Sequence, residues 1–149
     1  MNTRLPDRKP YLGFTLVEVL VVVVILGILA AIVVPQFLSA SDDSRTGALK
    51  INLHRIRTHL EIYRQHHNEE YPLLADFLDQ MTLSSDATRA TAPIGTLGFP
   101  FGPYIQSIPM NPFTSTNTLS DGAVGTSDWY YDENTGLFQA NDSAANQVF

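Results

Sequence analysis

Glu18 is the only ionisable residue between Phe14 and Val34. A carboxylate within a run of that length is costly wherever the run lies in lipid. It needs a partner, and an intramembrane group that needs a partner marks a functional site. No other titratable group has such a focus. His54, His59, His66 and His67 fall in one helical stretch, and His59 and His66 share a face, but no ligands converge on them from elsewhere, so they read as solvated helix histidines. The chain has no cysteine, which excludes a disulfide framework, a cysteine-ligated zinc site and a cysteine nucleophile. It has no Gly-x-Ser-x-Gly, no His-Glu-x-x-His and no phosphate-binding loop. Gly95 and Gly98 read as a turn. The carboxylate pairs Asp42-Asp43 and Asp132-Glu133 are sequence neighbours that read as solvated rather than as an acid and a base. No catalytic constellation is present, and the chain reads as a non-enzyme.

The element that must position Glu18 is the apolar run itself. Phe14 to Val34 covers 21 residues, roughly 32 Å as a helix, enough for a hydrocarbon core of about 30 Å. The whole chain has 149 residues, 44% hydrophobic and only 16% charged, with a net charge of −6. The charge deficit is concentrated in this run. The rest has ordinary composition, which excludes a multi-span membrane protein, and its aromatic content excludes chain-wide disorder. The acidic balance argues against nucleic-acid binding. Before the run, Arg4, Arg8 and Lys9 outweigh Asp7, whereas no Lys or Arg follows Arg89. The positive-inside rule then keeps the N-terminus in the cytoplasm and carries everything after Pro35 across the membrane. A cleaved secretory signal would account for the basic start, with Ser39-Ala40-Ser41 as a weak cleavage site, but its apolar region is about 7 to 15 residues, shorter than this one. A plain membrane anchor would not call for Glu18.

Gly13-Phe14-Thr15-Leu16-Val17-Glu18, followed by the apolar run through Val34 and closed by Pro35, resembles the class III signal of type IV pilins and of the pseudopilins of type II secretion. The resemblance implies cleavage by a prepilin peptidase between Gly13 and Phe14 and N-methylation of Phe14. One departure is the Pro10-Tyr11-Leu12 segment between Lys9 and Gly13, where the family often has a basic residue directly before the glycine. Three segments follow from this reading: a leader over 1–13, a transmembrane and polymerisation helix over 14–35, and a periplasmic globular domain over 36–149. Pairing of Glu18 with the Phe14 amine of a neighbouring subunit would neutralise both groups in a low dielectric and would favour the stagger at which they meet.

The expected fold is α+β: a pilin fold with a long N-terminal helix packed on a small antiparallel sheet. Pro35 removes a helical hydrogen bond and predicts a break or kink there. Leu49, Leu53, Ile56, Leu60 and Tyr63 recur at steps of four and three, one apolar face of a helix running to about His67. A sheet must cover that stripe. Asn68 to Pro72 ends the helix, because the residue before proline avoids helical angles. A short helix is expected over Asp76 to Met81. Residues 84–103 and 115–127 read as loops. Between them lies Ile108-Pro109-Met110-Asn111-Pro112, a segment frequent in the resembled family. Asp128 to Ala140 reads as a hairpin around Asp132-Glu133-Asn134-Thr135-Gly136, and 141–149 as a frayed tail.

The resemblance also raises calcium, which pseudopilins of the G type hold in a C-terminal loop through carboxylates and carbonyls. Asp121 and Asp128 are the candidate ligands, although the family's Ser-x-Gly-x-Asp-Gly run is missing. No other cofactor is expected. The function implied is a structural subunit that polymerises with its own kind, the major pseudopilin of a type II secretion system. Its partners would be the prepilin peptidase, an inner-membrane assembly platform and minor pseudopilins. A type IV pilin for adhesion, twitching or DNA uptake is the alternative within the class. A membrane-anchored periplasmic enzyme or binding module is the alternative outside it, disfavoured by the missing catalytic residues.

Overall fold

A computed structural model of the chain describes residues 13–149, and the leader positions before Gly13 lie outside it. Helix α1 runs from Leu16 to His66. Contacts divide the chain into two compact units, one up to Ser41 and one from Asp42 to Phe149.

In the first unit α1 is apolar on every side from Val19 to Val34, and these residues are exposed. Valine, leucine and isoleucine dominate, so the segment has no polar face to turn outward. Pro35 lies inside α1, and the expected break there is absent. Proline deletes one amide donor, and the hydrogen-bond ladder of the adjoining turns carries the helix past it.

In the second unit α1 becomes amphipathic. Leu49, Leu53, Ile56, Leu60 and Tyr63 are all buried, as their spacing predicts. The helix ends through a left-handed cap rather than at Pro72. Asn68 and Glu69 have φ of 56° and 66°, and the Glu69 amide donates to the Arg64 carbonyl at 3.0 Å. That bond is the long-range one of a Schellman cap, with asparagine in the position that tolerates a left-handed backbone. Arg64 and Glu69 then pair at 2.6 Å on the surface.

Helix α2, Phe77–Thr82, follows where the short helix was expected. Strands β1 (Ser84–Ser85) and β2 (Thr91–Ala92) form a small antiparallel pair inside the segment expected to be loop. Two-residue strands carry too little alternation to show in a sequence. The second sheet has the order β3-β4-β5, with β3 (Leu119–Ser120), β4 (Trp129–Asp132) and β5 (Leu137–Ala140). The hairpin β4-β5 is antiparallel, with Trp129 opposite Ala140 and Asp132 opposite Leu137. Strand β3 runs parallel to β4, so this sheet is mixed where a purely antiparallel one was expected. The loop between β3 and β4 doubles back on itself and returns the chain to the start of β3.

Trp129, Tyr131, Phe138 and Ala140 point inward and complete the core with Phe77 and Met81 against the α1 stripe. Phe77 meets Tyr131 edge-on at 4.7 Å, and Trp129 stacks on Phe138 at 5.4 Å. The Tyr131 hydroxyl donates to the Pro72 carbonyl at 2.8 Å, tying the hairpin to the segment after α1.

The β4-β5 turn depends on one glycine. Gly136 has φ of +71°, and a Cβ placed there would run into the ring of Tyr71. The Asp132 side chain closes the turn by accepting from the Asn134 amide at 2.9 Å and the Thr135 hydroxyl at 2.7 Å.

Two further expectations change. Residues 141–149 are not frayed: Asn141 and Asn146 are buried, and the tail is hydrogen-bonded to the domain. The histidines are not all solvated. His67 is completely buried and stacks on Tyr63 at 3.7 Å. Its Nδ1 lies 2.7 Å from the Tyr63 carbonyl, so it carries the proton, and Nε2 accepts from the Ser85 hydroxyl at 3.0 Å. Burial pushes its pKa down. His66 lies against Phe101 and the Tyr104 hydroxyl.

Candidate functional site

The N-terminal turn of α1 gathers the predicted site residues. Thr15 precedes the helix and Glu18 stands three positions later. The Glu18 amide donates to the Thr15 hydroxyl oxygen at 3.2 Å. In return one Glu18 carboxylate oxygen, Oε2, accepts from the Thr15 amide and the Thr15 hydroxyl, both at 2.9 Å. This is a capping box: the first turn of a helix has amides with no partner inside the helix, and the two side chains satisfy them reciprocally. The carboxylate also sits at the positive end of the helix dipole.

In the sequence Glu18 stands out by its charge, whereas Thr15 carries no such mark. The signal was present in the Thr-x-x-Glu spacing, which marks a helix start. A carboxylate offers about four acceptor positions, and Thr15 takes two of them. Glu18 therefore keeps room for a further donor while it caps its own helix. Gly13 and Phe14 are exposed immediately before this turn.

The second pair of candidate residues, Asp121 and Asp128, differ in their surroundings. Asp121 is exposed in the β3-β4 loop, whereas Asp128 is only 4% exposed. Asp128 Oδ1 accepts from the Thr114 and Thr116 hydroxyls, and Oδ2 accepts from the Thr118 amide at 2.6 Å and the Thr118 hydroxyl at 2.7 Å. Burial would raise the pKa of this carboxyl, but these four donors outweigh it and hold the group below its ordinary range. The donors take up the carboxylate's acceptor positions. Among the described residues, no group of three or more histidine, aspartate or glutamate side chains is placed to hold a metal.

A long helix, apolar in its first half and amphipathic in its second, with a small sheet on the amphipathic half, is the architecture of pilin-like subunits. The family model for the prokaryotic N-terminal methylation motif matches residues 8–34. The chain is 33% identical over 133 residues to the type II secretion system core protein G of Pseudomonas aeruginosa, covering 82% of this chain and 92% of that protein. It is 31% identical to the protein of the same name from Klebsiella pneumoniae, over 90% of this chain and 92% of the relative. The Vibrio cholerae protein of that name is 34% identical over 78% of this chain and 75% of its own length. No solved structure matches. The chain belongs to the type II secretion system core protein G family.

Proposed function

We propose that this chain is the repeating subunit of a helical pseudopilus that grows from the inner membrane and drives export of folded proteins by a type II secretion system. The observation that carries the reading is Glu18. It is a carboxylate placed at the start of a helix whose first half is apolar and long enough to cross a membrane. Lipid can cover that surface before assembly, and the same helices of neighbouring subunits can cover it afterwards.

A prepilin peptidase cutting between Gly13 and Phe14 would create an amine at Phe14. The acceptor capacity left on Glu18 suits that amine on a neighbouring subunit. Charges that meet across the interface favour one stagger of the helices and penalise the others. The role is structural and not catalytic. The basic N-terminus stays in the cytoplasm, and the domain over 36–149 lies in the periplasm. Assembly-platform proteins and minor pseudopilins complete the set of partners. Similarity to core protein G over most of the chain favours secretion over a pilus for adhesion, twitching or DNA uptake.

Mass spectrometry of the chain purified from membranes tests the first step. It should show a mature N-terminus at Phe14 carrying a methyl group. A start at Ser41 or Asp42 would mean a secretory signal and would end the filament reading. A deletion strain complemented with this chain should regain secretion and sheared filaments together.

A further inference from the structure

We propose that the β3-β4 loop, Asp121 to Asp128, is closed by protein hydrogen bonds in the place where a divalent cation could close it, so that the domain folds and assembles without calcium. Two side chains make the closure, and both are buried.

Asn141 is the first. It is completely buried. Its side-chain amide donates to the Gly122 carbonyl at 3.4 Å, the Ala123 carbonyl at 3.1 Å and the Ser127 hydroxyl oxygen at 2.9 Å. Its main-chain carbonyl accepts from the Gly125 amide at 2.6 Å and its main-chain amide donates to the Asp128 carbonyl at 3.0 Å, while its side-chain oxygen is buried without a hydrogen-bond partner. Loop carbonyls that converge on one point are the donors a hard cation uses. Here the Gly122 and Ala123 carbonyls converge on an amide NH₂, which supplies the positive hydrogens itself.

Asp128 is the second. The threonines at 114, 116 and 118 stand at steps of two and all donate to its carboxylate. The direction of the Thr118 hydroxyl is determined: its oxygen accepts from the Asp128 amide at 3.0 Å, leaving its proton for the carboxylate. A cation at Asp128 would have to displace hydroxyl and amide protons aimed at the same oxygens. Asn111 joins the two halves of the closure. Completely buried, it donates to the Asp128 carbonyl at 3.1 Å and to the Asp142 carboxylate at 2.8 Å. Asp142 in turn accepts from Asn146 at 2.7 Å. The neighbouring carboxylate is thus also engaged by neutral donors.

The test uses the full chain in detergent micelles. Trp129, the only tryptophan, is completely buried beside Asp128, so its fluorescence follows melting of this region. Expected are equal melting temperatures in millimolar calcium and in excess chelator. A ligand that binds only the folded state would raise the value by mass action, and such a rise in calcium overturns the proposal. Asn141→Ala and the milder Thr116→Val should each lower the melting temperature, by the same amount with calcium as with chelator. If Thr116→Val, which keeps the size of the side chain and removes only the donor, melts like the native chain, the closure described here is wrong.

Discussion

Gly136→Ala tests how the segment after α1 and the β4-β5 turn are locked together. Two separate costs are expected from one methyl group. Gly136 has φ of +71°, a left-handed conformation that costs an L-residue roughly 1–2 kcal/mol. The added Cβ would also collide with the Tyr71 ring, and overpacking of this kind typically costs about 1–3 kcal/mol. The ring cannot swing away freely, because the Tyr71 hydroxyl donates to Glu61 at 2.7 Å and accepts from Arg64 at 3.1 Å. The total is roughly 2–5 kcal/mol, and each kcal/mol lowers the melting temperature of a domain of this size by about 4–8 °C. Thermal melts followed by Trp129 fluorescence should therefore show a fall of at least about 8 °C. A double-mutant cycle separates the two costs. In a Tyr71→Ala background the collision disappears, and Gly136→Ala should then cost only the backbone term. If Gly136→Ala costs the same with and without the Tyr71 ring, the contact argument is refuted.

Acid should destabilise the domain in two steps. The pKa of His67 is depressed in the folded state by burial, so the unfolded chain takes up the proton first. Its contribution is complete above the unfolded value of about 6.5 and is lost as pH falls from there toward the folded value. His67→Asn should flatten that part of a stability-versus-pH curve. Asp128, also depressed, contributes stability that is complete above its unfolded pKa of 3.8 and is lost as pH falls through its lower folded value. The Tyr63 hydroxyl is buried without a hydrogen-bond partner, so Tyr63→Phe should leave the melting temperature unchanged or raise it, and a marked fall would reveal a partner. Leu53→Ala, at the centre of the buried stripe, should cost about 2–5 kcal/mol in a denaturant melt. Glu18→Ala should leave membrane insertion intact and sharply lower the yield of sheared filaments, whereas Thr15→Val, which keeps the carboxylate, should lower it less. Normal filaments from Glu18→Ala would remove Glu18 from assembly.

The parts legible in the sequence were those set by local pattern. A single carboxylate in an apolar run, the Gly-Phe-Thr-Leu-x-Glu start, and the steps of three and four from Leu49 to Tyr63 each carry their meaning within a few residues. Hydrophobic periodicity and the cost of a charge in lipid do not depend on distant neighbours. The β4-β5 hairpin was legible for the same reason, since its turn and its alternating aromatics lie side by side in the chain. Pro35 shows the limit of a local rule: a missing donor predicts a break, but the adjoining turns decide whether the helix continues.

What only the tertiary structure decided depends on residues far apart in sequence. Polar side chains such as Asn141, His67 and Asp128 look solvated in a sequence, because nothing local says which partners will surround them. In the fold Asn141 closes a loop almost twenty residues earlier in the chain, and His67 reaches Ser85. Asp128 collects donors from a segment ten to fourteen residues before it. Buried polar groups are mostly met by hydrogen-bond partners, and those partners are brought together only once the chain has folded. The same holds for Asp128 as a ligand: the family resemblance suggested a cation, and the threonines brought against it supply hydrogen bonds to its oxygens.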